Sequence, residues 1–110
     1  MMNEKLVSTG LELPGYEVIK TLGVILGISV RSRSLASNFL ASLQLLFGGD
    51  ITIFIQLCEV TRKDAYNRMV KNAVNLGANA IIGVRYDTTD VAPGVVECLC
   101  YGTAIIVEPR

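Results

Sequence analysis

The sequence predicts an α+β domain: one antiparallel sheet packed with two helices. Three observations carry this expectation. β-Branched residues dominate Tyr16 to Val30 and return between Val95 and Val107. Two stretches between those regions repeat apolar residues at helical spacing. The last two strand-like segments are joined by a short polar connection, which makes them an antiparallel hairpin. Helices on one face of one sheet is the economical way to bury both patterns.

The elements follow in order. Leu6 to Leu13 is a short opening segment, and Pro14-Gly15 is a turn signal. Tyr16 to Val30 reads as a strand region, with Val24, Leu26, Ile28 and Val30 sharing one face. Gly23 and Gly27 bend it or admit close backbone approach. Ser32 or Ser34 caps a first helix whose stripe is Leu35, Phe39, Leu43 and Leu46, and Gly48-Gly49 closes it. Asp50 then caps a longer helix with the stripe Phe54, Cys58, Ala65, Met69, Ala73 and Leu76, ending at Gly77. Its first turns, Ile51 to Leu57, alternate like a strand. No turn signal separates them from the clear helix after Thr61, so they are read as helix. Asn79 to Asp87 is a strand, with Ala80, Ile82, Val84 and Tyr86 on one face and Ile81, Gly83 and Arg85 on the other. Asp87 to Gly94 reads as a polar loop, and Val95 to Val107 as the final strand. With no linker or internal repeat, residues 1–110 are expected to form a single domain.

Composition constrains function. Of the 110 residues, 51% are hydrophobic and only 18% charged, against roughly 45–50% and about 25% in ordinary domains. A domain this small cannot hide so much apolar material in its own core. The longest apolar stretches, Leu35–Phe47 and Ile51–Cys58, fall short of the roughly 20 residues of a membrane span. No uninterrupted apolar signal region follows Met1 to Lys5. A cytoplasmic homo-oligomer is therefore expected. Ten basic and ten acidic residues cancel, so no overall field favours nucleic acid. The three cysteines are expected to be reduced thiols. Histidine is absent, which removes the commonest general base and metal ligand.

A set of segments carries a family resemblance. They are Leu13-Pro14-Gly15-Tyr16, Gly23-Val24-Ile25-Leu26-Gly27 and Gly48-Gly49-Asp50; then Arg62, Ala65, Arg68 and Met69; then Leu76 to Arg85, and Tyr101-Gly102-Thr103-Ala104. Over about Val7 to Val107 the chain resembles the YbjQ-like family, whose members carry a heavy-metal-binding label. The resemblance implies an α+β subunit, similar in class to dodecin subunits, assembled into a five-fold ring. It implies no known reaction, and the family pattern has no fixed cysteine or histidine cluster. This chain departs from the pattern at Ile51 to Leu57, which is more apolar than the family's usual sequence. A helix apolar all round is a buried helix, so Ile51, Ile53, Phe54 and Ile55 are expected at the oligomer interface.

The candidate sites each have a plain structural alternative. Cys98 and Cys100, two apart on a strand, present two soft ligands on one face and would suit a thiophilic metal ion. A closed zinc site needs four ligands, so such a site would be shared between subunits; otherwise the two cysteines are small buried hydrophobes. Arg31 to Ser34 offers guanidiniums to an anion, or merely caps a helix. Gly48-Gly49-Asp50 lacks the lysine and spacing of a P-loop and reads as a cap. Arg62 and Arg85, in the resembling motif, are read as ligand or interface residues. Glu59–Lys63 and Asp64–Arg68 have the spacing of helical ion pairs. Asp87, Asp90 and Glu97 match no calcium loop. No nucleophile–base constellation selects a catalytic residue. Three readings follow: a homo-oligomeric module binding a metal or small ligand at or between subunits; a scaffold with no small ligand; and an enzyme with an inter-subunit active site.

Overall fold

The structure, a computed structural model, describes residues 2–32, 52–92 and 95–110, with the backbone alone at 52–54 and 90–92. The elements are a short 3-10 turn at Glu4–Leu6, β1 (Tyr16–Ser32), α1 (Thr52–Asn75), β2 (Ala80–Ala92) and β3 (Val95–Pro109). The sheet is antiparallel in the order β1-β3-β2, so the last strand in sequence is the central one. Among the described residues one helix packs on one face. The predicted helix over Leu35–Phe47 lies outside the described residues.

α1 begins at Thr52, so the Ile51–Leu57 stretch is helical from its second residue, not a strand. At its end Gly77 adopts φ 92°. The Gly77 amide donates to Val74 and the Ala78 amide to Ala73. This is the double-bonded glycine cap that satisfies the last helical carbonyls.

Cross-strand partners share a face, and the register therefore sorts the side chains. Ile25, Gly27 and Ser29 pair with Gly102, Cys100 and Cys98, and all face α1. Met69, Ala65 and Ala73 fill the space above them. Gly27 is required there: a Cβ at this position would run into the backbone of Ala65 and Met69. Val24, Leu26, Ile28 and Val30 do share a face, as the alternation predicts, but it is the one turned away from α1. They are 71%, 47%, 45% and 56% exposed. Leu99 and Tyr101, cross-strand from Ile28 and Leu26, continue this outer face as half-buried side chains.

Two expectations for β2 are corrected. The strand runs through the predicted loop to Ala92, and Ala92 pairs with Val95, which leaves only Pro93 and Gly94 between the strands. Thr88, Thr89 and Val91 favour extended backbone, and Asp87 sits exposed on the outer face, where charge costs little. Strict alternation also fails. The register shifts between Ile82 and Arg85, where Gly83 takes φ 63°, a bulge that only glycine enters freely. Ile81 and Val84, three apart, both join the core under α1, while Ala80 and Ile82 turn to the other face.

A second, smaller core lies on that other face. Leu13, Ala80, Ile105 and Val107 are buried there, with Leu6, Tyr16 and Ile82 against them. The N-terminal segment that covers it also lines the outer edge of β2. Ser8 donates to Ile81, Gly83 to Gly10, and Val84 to Ser8. On the opposite edge, Asn72 Nδ2 donates to the Leu26 carbonyl at 2.7 Å. Both contacts occupy strand-edge groups that would otherwise be open to pairing.

Candidate functional site

Cys98 and Cys100 lie on one face of β3, as their spacing predicts, and that face is under α1. Both are buried. The Cys100 thiol donates to Met69 Sδ at 3.5 Å. Burial pushes this thiol up to about 11; the neighbouring Tyr86 hydroxyl pulls the other way and Cys98 adds to the rise. Cys100 is thus a neutral thiol near neutral pH, and metal ligation requires the thiolate. Among the described residues, no three Cys, Asp or Glu side chains gather as a metal-holding group. The donors described in one chain therefore do not fit a closed metal centre.

The third cysteine, Cys58, is half-buried on the first half of α1. With Cys98 it lines a cleft of about 430 Å³ between α1, the far end of β2 and the start of β3. Ile55 and Val96 complete its apolar wall; Glu59, Arg62 and Thr88 are its polar residues. Arg62 is held there by an aromatic ring: its guanidinium carbon lies 5.9 Å from the centroid of Tyr86, a cation–π distance. Tyr86 itself is held above its ordinary value, chiefly by burial. This Arg62–Tyr86 pair was not legible in the sequence. It needs the Gly83 bulge, which turns Tyr86 to the α1 face.

Arg85 lies elsewhere. Its Nη1 donates to the Thr9 and Val84 carbonyls, both at 2.8 Å, and so ties the N-terminal segment to the outer face. Arg62 and Arg85 are on opposite sides of the sheet and do not converge within one chain.

A polar cluster sits between β1 and α1. The buried Ser29 hydroxyl donates to Asp64 Oδ2 at 2.7 Å. Arg68 Nε lies 3.2 Å and Arg31 Nη2 3.6 Å from the same oxygen. The Ser29 hydrogen bond is the largest effect; with the weaker pull of the Arg68 and Arg31 guanidiniums it holds Asp64 below its ordinary value, against a burial effect that raises it. Arg31, expected to face an anion or a cap, is thus paired with a carboxylate. The expected Asp64–Arg68 pair forms; Glu59–Lys63 is not among the ion pairs of the described residues. Asp87 is exposed and Glu97 half-buried, both on strands.

Of the expected interface residues, Ile51 lies outside the described residues, as do the side chains of Ile53 and Phe54. Ile55 is half-exposed at the cleft. No described helix is long and apolar enough to cross a membrane.

The described residues define a class: an α+β chain in which a three-stranded antiparallel sheet carries one packed helix, with an exposed apolar strip along β1. The chain belongs to the YbjQ_1 family, described as "Putative heavy-metal-binding", whose profile matches residues 5–108. It is 55% identical to a UPF0145 protein of Chromobacterium violaceum, over 99% of this chain and 93% of that one. It is 52% identical to a UPF0145 protein of Burkholderia thailandensis, over 96% and 95%. Among solved structures it is similar to a DUF74-family protein of unknown function from Pediococcus pentosaceus. That match has a TM-score of 0.61 at 21% identity and covers 96% of this chain and 100% of the other, which speaks for the fold alone.

Proposed function

We propose that the chain is a self-assembling binding module, cytoplasmic and ring-forming, that holds a small ligand at or between its subunits. The observation that carries this is the outer face of β1. Val24, Leu26, Ile28 and Val30 expose apolar side chains in one row, and Leu99 and Tyr101 widen it. Continuous apolar patches of this kind are rare on monomers. A second copy is the occupant it fits best, because the row carries no charge to recognise a charged partner and the composition already holds more apolar material than one core needs. This moves the main contact from the expected Ile51–Ile55 region to the sheet. The five-fold symmetry rests on the family resemblance. The metal version, through Cys98 and Cys100, would require the Cys100 thiol, held neutral by burial, to leave the core and ionise, so a non-metal ligand is the better-supported cargo.

Light scattering tests the assembly. Wild-type protein is expected as a multimer, and Leu26→Glu and Ile28→Glu as smaller species with unchanged far-UV circular dichroism. A monomeric wild type, or charged variants of unchanged mass, would overturn it.

A further inference from the structure

The cleft between α1 and the start of β3 joins features that the strand register and helix packing do not explain. Its wall is apolar: Ile55, Cys58, Val96 and Cys98. Free cysteine in such a wall behaves as a small hydrophobe. Its volume, about 430 Å³, falls in the ordinary range for small-molecule sites. At its edge Arg62 is positioned by the Tyr86 ring and makes no ion pair with any carboxylate among the described residues. A guanidinium carries five N–H donors, and a ring contact leaves most of them directed elsewhere. On the opposite face of the sheet Arg85 spends its donors on backbone carbonyls. Arg31 and Arg68 are each paired through one guanidinium nitrogen with Asp64, away from this cleft. Arg62 is the arginine that lines this cleft.

Resting on the binding-module reading, we infer that this cleft takes a small amphiphilic acid: an alkyl or aromatic carboxylate with its apolar body against Ile55, Cys58, Val96 and Cys98 and its acid group on Arg62. Charge complementarity selects the acid. Arg62 provides a planar fork that matches a carboxylate, and the hydrocarbon contacts follow from the wall. Glu59 on the same rim opposes the anion and gives the assignment its sharpest check.

Titration calorimetry of the full chain with octanoate, and separately with octylammonium, tests this. Saturable uptake of one octanoate per chain is expected, with octylammonium far weaker. Arg62→Gln should weaken octanoate about tenfold, the loss of a charge-assisted hydrogen bond. Arg62→Lys should restore part of it, and Glu59→Gln should strengthen it. Arg85→Gln, on the far face, should leave it unchanged. Cys58→Phe, which fills the cleft from its half-buried wall, should abolish uptake while retaining the circular dichroism of the wild type. No octanoate uptake, equal uptake of the two chain ends, or indifference to Arg62→Gln would each overturn the site. Light scattering on the same samples keeps the two proposals apart: a multimer that takes up no octanoate sinks the cleft assignment and leaves self-association standing.

Discussion

Ser29 on β1 and Asp64 on α1 meet across the strand–helix interface, with the buried serine hydroxyl donating to the carboxylate at 2.7 Å. Arg31 and Arg68 close on the same oxygen, so one carboxylate joins three side chains from two elements. Asp64 is held below its ordinary value of 3.8, first by Ser29. The sign follows. A depressed carboxylate contributes stability above its unfolded pKa and loses it as pH falls through the folded one. Ser29→Ala should therefore lower the urea midpoint at pH 7, and the gap from wild type should shrink by pH 3. An equal gap at both pH values would show that the hydroxyl acts through packing and not through the charged partner.

Gly27 lies where β1 touches α1 backbone to backbone. Any side chain there meets Ala65 and Met69 main-chain atoms, which cannot rotate away. Gly27→Ala should destabilise the fold by about 2 kcal/mol or more, in the range of an overpacked core. Denaturant unfolding measures it as a lower midpoint at unchanged slope. A midpoint equal to wild type would mean that the helix stands farther from the strand.

Cys100 gives an alkaline signature. Its folded thiol lies at about 11, against an ordinary value of 9.0, through burial. A raised thiol contributes stability fully below pH 9 and loses it as pH climbs toward 11. Cys100→Ala should thus show a shallower loss of stability over that window than wild type. The same buried thiols bear on metals. Reduced wild type and a Cys98→Ser/Cys100→Ser variant should take up Zn²⁺ equally weakly at pH 7. Stoichiometric uptake by the wild type alone would restore the cysteine pair as ligands.

Much of this was written in local sequence. Gly77 announced the helix end, the two-residue spacing of Cys98 and Cys100 set them on one face, and Gly27 signalled a close approach. What escaped was relational. The alternation of Val24 to Val30 named a shared face without saying whether it met α1, because helix packing against Ile25, Gly27 and Ser29 is a tertiary choice. The Gly83 bulge inverted the second half of β2, since a single glycine at positive φ changes parity without altering composition. Asp87 to Ala92 looked like a loop because acidic residues there obscure a threonine- and valine-rich strand. The Arg62–Tyr86 pair joins residues on two elements, and only the fold brings them together.

The position of β3 between β1 and β2 sets an order of events. β2 and β3 are sequence neighbours and can zip together at once. Among the described strands β1 pairs with β3 alone, Tyr16 opposite Pro109 and Ser32 opposite Val95. It can join the sheet only by closing a chain loop that spans the whole of α1. Such distant pairings slow folding. As the chain emerges from a ribosome, β1 and its apolar row wait without their strand partner until β3 is made. Crowded polysomes would then hold many unpaired copies of that row side by side, and the surface proposed to receive a second copy is also the one most exposed to premature association.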